Sequence, residues 1–338
     1  MTPTAGLAVA STVEVGPTDN DTAQLPGMAD DQRGPVRIAL IGALVVIASF
    51  VAGKAARDAI LLSNFKITQL PFFVGASAIA SLPIVVLVGR LLSKYGPRRL
   101  VPVLNTISAA LLVGEWVLYE REPQLGAILI FFHLTLFGAV LVSGFWSIVN
   151  ERFDATTAKR YIGRIGLGAT IGGIVGGLIV ERAAVYLEPS AILLVLAGLQ
   201  IGCALLQHVL ALGSSHVVPP PSLHSGAAIK LVAKTPLLRG LALIVIFGAI
   251  AATALDYVFK VEIVEATGDE GPLRFFAIYY TATNILTALS QILLGRVVLA
   301  KLGVARSIAT LPTAVTVASI CALALPGLTS VVIARSTE

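Results

Sequence analysis

The sequence predicts an all-α integral membrane protein, and three observations predict it. Hydrophobic residues make up 56% of the 338-residue chain and charged residues 13%, with a mean hydropathy of +0.89. An ordinary soluble domain carries about 25% charged residues. Apolar runs recur along the chain at a length that matches the roughly 20 residues a bilayer-crossing helix needs. Between these runs sit short basic clusters, the pattern that sets orientation in a membrane.

In order along the chain, residues 1–34 are polar, rich in Pro, Thr, Asp and Gly, and contain no apolar core. They read as a disordered cytosolic tail and not as a cleaved signal peptide. Apolar segments follow at 36–62, 68–92, 100–119, 124–149, 162–182, 190–212, 237–260, 273–300 and 304–325. A tenth begins near Ser330, where "VVIA" is too short to cross about 30 Å of hydrocarbon. The reading is therefore nine full spans plus the start of a tenth, in a chain expected to be a fragment or to lack its last helices. With the N-terminus inside, 16 of the 24 Lys and Arg fall on the inner side, including Arg90, Lys94, Arg98, Arg99, Arg152, Lys159, Arg160 and Arg164. Glu262, Glu265, Asp269 and Glu270 fall in an acidic outer loop. The expected location is the plasma (inner) membrane with a cytoplasmic N-terminus.

The longest break, residues 213–236, is Pro- and Ser-rich and basic, and it follows the sixth span. A six-helix bundle over 35–212, a cytosolic linker over 213–236 and a second, incomplete bundle over 237–338 resemble the arrangement of the major facilitator superfamily. The inner loop "GRLLSKYGPRRL", residues 89–100, is similar to the basic loop between the second and third helices of that superfamily. The usual acidic residue is replaced here by Ser93 or Lys94. The net charge of +5 is spread over such loops and is not gathered in a groove, so no nucleic-acid partner is expected.

The first span reads "FVAGKAARDAILLSNF" and places Lys54, Arg57 and Asp58 within five positions of an apolar run. A charge deep in a bilayer costs about 2.5–3.5 kcal/mol on insertion scales. These side chains must therefore face the protein interior, a wet cavity or the outer interface. Long Lys and Arg stems near a span's end can snorkel to the interface, but the short Asp58 carboxylate cannot reach far. Lys54 and Asp58 are four apart and share a helix face. The seventh span repeats the pattern in "ALDYVFKVEIV", where Asp256 and Lys260 are again four apart and again late in an outward-going span. If the two bundles are parallel repeats, these helices face each other across a central cavity. Two Lys/Asp pairs at matched depth then form a site for an anionic or zwitterionic ligand.

Other polar residues inside spans are weaker candidates. Glu115 and His133 lie in the third and fourth spans, where each is either an interhelical hydrogen bond or a proton carrier. Tyr279, Tyr280, Thr281 and Asn284 form an aromatic-polar stripe in the eighth, which either lines a path or anchors at the interface. The fifth span, "RIGLGATIGGIVGGLIV", carries Gly168, Gly172 and Gly176 at spacing four, a small-residue seam for close helix packing. Its G-x-G-x-x-x-G spacing is not a dinucleotide fingerprint, and no P-loop or zinc-protease motif is present. Cys203 and Cys321 lie in apolar runs and read as packing residues. No enzymatic activity, metal or other cofactor is expected.

The stretches "GKAARDAILL", "GFWSIVNERFDATTAKRYIGRIGLGATIGGIVGG", "LDYVFK" and "FFAIYYTATNILTALSQILLGRVVLAKLG" resemble the ATP:ADP antiporter (nucleotide translocase) family, a branch of the major facilitator superfamily. The resemblance runs from about residue 36 to the end of the chain. Members exchange ATP for ADP or carry other nucleotides, using intramembrane Lys and acidic residues. Lys54 and Lys260 match family lysines, and Asp256 stands where the exchangers carry Glu. In the fourth span they have a Glu before "FW", where this chain reads "HLTLFGAVLVSGFW" with His133 and no carboxylate. The resemblance implies a secondary transporter, monomeric in the bilayer, moving an anionic small molecule such as a nucleotide or other phosphorylated metabolite. Lys54, Arg57, Asp58, Asp256, Lys260 and Asn284 are the expected substrate-binding residues; Asp58, Glu115, His133 and Asp256 are the candidates for proton or ion coupling. Two further readings stand beside it: transport of an unrelated small solute, and a non-transporting membrane anchor or sensor of the same fold.

Overall fold

The computed structural model describes residues 33–153, 155–212, 225–267 and 272–293. The tail to residue 32, the ninth apolar segment and the run after Ser330 lie outside the described residues. Those described are almost entirely helical: α1 Arg33–Asn64, α2 Leu70–Tyr95, α3 Pro97–Arg121, α4 Pro123–Arg152, α5 Ala155–Tyr186, α6 Ile192–Ala211, α7 Ser225–Lys234, α8 Pro236–Thr267 and α9 Pro272–Leu293. Among them seven, α1 to α6 and α8, are long and apolar enough to cross a membrane, which marks an integral membrane protein. The polar residues Tyr279, Tyr280, Thr281, Thr283 and Asn284 dilute the apolar character of α9.

Local sequence explains where helices begin. Pro97, Pro123, Pro236 and Pro272 each open a helix and Pro71 lies in the first turn of α2. There the missing N–H is one that no helix would satisfy. Between α2 and α3 the backbone of Gly96 takes φ 73° and ψ 152°, a region open essentially to glycine alone. Arg98, from the basic loop, donates from Nε (3.1 Å) and Nη2 (2.6 Å) to the Ala211 carbonyl, capping the C-terminus of α6 with a cation. The basic segment thus has a structural task. The segment predicted as linker contains the short helix α7, with Lys230 and Lys234 on it. The helix α8 runs on to Thr267, so Glu262 and Glu265 are helical and not in a loop. Hydropathy marks the bilayer, whereas backbone hydrogen bonding carries the helix beyond it.

At the centre is α1. Half of its most apolar stretch is buried, against none of that of α8. Seven of its buried residues are Ala39, Ala43, Ala48, Ala52, Ala55, Ala56 and Ala59. Such small side chains let α5, α4, α6 and α9 approach its backbone. The closest approach is to α5. A Cβ on Gly168, Gly172 or Gly176 would meet the carbonyl oxygens of Leu40, Leu44 and Ala48 respectively. The glycine stripe is therefore the packing seam the sequence predicts. Because both series ascend together, α1 and α5 run parallel. Gly177, one position on, faces Thr281 of α9. By contrast α8 touches the bundle at its far end, where Phe259 and Ile263 join a cluster with Ala52–Ala59, Phe276, Tyr279 and Tyr280.

Candidate functional site

The C-terminal half of α8 meets the C-terminal half of α1, and the charges of the two apolar helices collect there. The Asp58 side chain is inaccessible and that of Lys260 is 2% exposed. Lys260 Nζ lies 3.0 Å from Asp58 Oδ2 and 2.8 Å from Asp256 Oδ2. The second contact is the i, i+4 pair expected from spacing; the first joins residues of two helices far apart in the chain. Asp58 Oδ1 accepts from Arg57 Nε at 3.1 Å. Among the described residues Asp58 Oδ2 receives no aligned hydrogen bond, and Lys260 holds it by charge and proximity. Ala55, Ala56 and Ala59 flank these groups on α1, and their size leaves room for the α8 tip to close on Asp58.

Arg57 reaches in another direction, toward α4. Its Nη1 donates to Thr135 Oγ1 at 2.8 Å, and its guanidinium stands 5.5 Å from the centre of the Phe131 ring. Lys54, one turn before Asp58, places Nζ 4.9 Å from the centre of the Tyr280 ring on α9. Both distances are those of cation–π contacts. Lys54, Arg57, Asp58, Asp256 and Lys260 thus gather where α1, α4, α8 and α9 meet.

A cavity of about 760 Å³ lies beside this network, between α1, α2, α4 and α8. That volume is in the range of small-molecule sites. Lys54, Arg57, Asp256 and Lys260 line it, while Asp58 sits buried behind them. Most of the remaining lining is apolar: Leu70, Pro71, Val74, Phe131, Ala249 and Ile250 are among it. Fixed cations at the edge of an apolar chamber can hold an anion while their own carboxylates neutralise them when it is empty.

The other sequence candidates fall elsewhere. His133 and Glu115 do not line the cavity; they meet each other, His133 Nδ1 to Glu115 Oε2 at 3.0 Å, and His133 Nε2 meets Ser108 Oγ at 3.0 Å. All three are buried, so α3 and α4 are joined by a hydrogen-bonded chain. Asn284 is on α9, but its side chain is outside the described residues. Thr135, Phe131 and Ser108 were not legible as site residues. A threonine or serine is ordinary in a transmembrane helix, and only knowledge of which faces meet singles these out. Among the described residues no group of His, Cys, Asp and Glu could hold a metal ion. Neither family models, curated proteins nor solved structures match the chain.

Proposed function

We propose that the chain is a secondary transporter that moves an anionic organic solute by alternating access. The observation that carries this reading is the bridge from Lys260 on α8 to the inaccessible Asp58 on α1, at the edge of a cavity lined by two further cations. Buried ions are costly to keep, since breaking such a pair leaves an uncompensated charge. A pair between two helices, next to a chamber, can exchange partners with an incoming anion. In this reading residues 36–212 rock against residues 237–338, as two parallel bundles of the major facilitator type. The anion binds Lys54, Arg57 and Lys260. Asp58 and Asp256 lose their partners as it enters and take up the coupling proton, or wait for the anion to leave. Glu115 and His133 are a second place to hold a proton. A nucleotide or other phosphorylated metabolite is the class implied by the family resemblance, and the site is in the inner membrane with the N-terminus cytoplasmic.

The test is counterflow in proteoliposomes with a panel of labelled organic phosphates, carboxylates, sulfonates and nucleotides. Lys54→Gln, and the charge-balanced pair Asp58→Asn with Lys260→Gln, should each abolish uptake while the protein remains monodisperse. Uptake unchanged in both variants removes these residues from the mechanism. If no labelled solute exchanges at all, the same network is a static lock and the chain is a non-transporting membrane domain.

A further inference from the structure

We infer that α7 and the first turn of α8 form a membrane-surface anchor that seats on bilayers carrying anionic phospholipid. This surface is separate from the solute cavity, whose lining on α8 begins at Ala249.

Placement comes first. α6 and α8 are membrane-length helices, and α7 lies between the end of one and the start of the other. Arg98 caps that end of α6, so α7 belongs to the membrane face that carries Arg98 and Arg99. Its ten residues extend about 15 Å, too short to cross about 30 Å of hydrocarbon. Among the described helices it packs most against α8. The joint is short: Thr235 N–H donates to the Leu231 carbonyl and Arg239 N–H to the Thr235 carbonyl, each at 3.0 Å. Pro236, which has no N–H, interrupts the helix between them. The helix it precedes thus tethers α7 at the bilayer boundary.

Charge comes second. Between Glu188 and Asp256 the sequence holds no Asp or Glu, whereas Lys230, Lys234 and Arg239 fall within ten positions. All three are exposed. A basic stretch beside a membrane-spanning helix is complementary to anionic headgroups, and each Lys or Arg at such a surface strengthens attachment about fivefold.

The face of α7 comes third. At about 100° per residue, Lys230, Leu231 and Lys234 fall on one side of the helix. Leu231 is 49% exposed there, while Val232, on the opposite side, is half-buried. Leu237, in the first turn of α8, is 78% exposed. At the bilayer boundary, lysine stems and leucines meet acyl chains while the ammonium groups meet phosphates. A purely ionic partner would satisfy the lysines and leave Leu231 and Leu237 in water.

The experiment uses the full chain in lipid nanodiscs, with both native cysteines replaced and Leu231→Cys carrying an environment-sensitive fluorophore in the leucine's place. One set of discs is phosphatidylcholine alone; the other is equal parts of phosphatidylcholine and phosphatidylglycerol. In the anionic discs the fluorophore should emit as in an apolar medium, and lipids with a nitroxide high on the acyl chain should quench it. In phosphatidylcholine alone, or in high salt, both signals should fall. Adding Lys230→Gln with Lys234→Gln should lower the ratio of attached to detached helix about tenfold or more in the anionic discs. Lys230→Arg with Lys234→Arg should leave it unchanged. A fluorophore in water in both discs overturns the anchor and leaves the lysines as topology signals. Equal quenching in both discs overturns it by removing the anionic lipid. Apolar emission that nitroxide lipids do not quench puts α7 against protein and overturns it too. Detachment in the arginine pair rules out charge as the cause, with the same consequence.

Discussion

Asp58 has two cations on its two oxygens, at 3.1 Å and 3.0 Å, in a position closed to solvent. Its replacement by Asn leaves Lys260 buried with one carboxylate partner in place of two. Removing one member of a buried pair costs about 3–5 kcal/mol, so Asp58→Asn should lower the detergent-phase unfolding midpoint markedly. Lys260→Met should do the same by stranding Asp58. The double variant should then be less destabilised than the sum of the singles, because the second change removes a charge the first left alone. Strict additivity would mean that the Asp58–Lys260 bridge does not form. These residues were legible in the sequence because a charge in an apolar run has few permitted surroundings. Their partners were not: the Thr135 hydroxyl and the Phe131 ring are unremarkable until α4 is known to face Arg57.

Between elements, packing depends on small residues and on a few buried polar links. Gly172→Ala would press a Cβ into the carbonyl of Leu44, and neither backbone can yield without separating α1 from α5. Gly163, on the same helix, has open space around it. Thermal unfolding should therefore show Gly172→Ala destabilised while Gly163→Ala is neutral or stabilised, by up to about 1 kcal/mol from helix propensity. Equal behaviour of the two would refute the seam. The Ser108–His133–Glu115 chain makes a second case. Glu115→Ala leaves a buried imidazole nitrogen unpaired, at a cost of about 1–3 kcal/mol. Glu115→Gln keeps a partner and should recover much of that. If both variants retain full stability but lose pH-dependent uptake, the chain holds a coupling proton and is not mainly a link between α3 and α4. Apolar runs located all seven membrane-length helices and the glycine spacing located the seam. Helix ends were less legible, as α8 shows: Glu262 and Glu265 look like loop residues by polarity, yet a helix stops only where its backbone bonds find other partners.

For the molecule as a whole, orientation decides whether the charged network opens to the outside or the inside first. The described helices turn at short connections, Gly96 between α2 and α3 and Glu122 between α3 and α4, so neighbours run in opposite directions. The parallel run of α1 and α5 agrees with that alternation. Ends that carry Arg33, Arg37, Lys94, Arg98, Arg99 and Arg152 then share one face of the membrane, while Lys66, Glu122, Glu181 and Glu188 share the other. Basic residues concentrate on the cytoplasmic side of membrane proteins; we propose that this rule holds here, with the Lys260–Asp58 bridge toward the outer face. Cysteine labelling checks this directly. Cys203 is buried, and both native cysteines can be replaced to remove background. Into that chain go Leu187→Cys, at the connection between α5 and α6, and Tyr95→Cys, at the end of α2; both positions are exposed. A membrane-impermeant maleimide should label Leu187→Cys in intact cells and Tyr95→Cys only after permeabilisation. The reverse pattern would turn the molecule over and make the cytoplasm the side from which a solute first reaches Lys260.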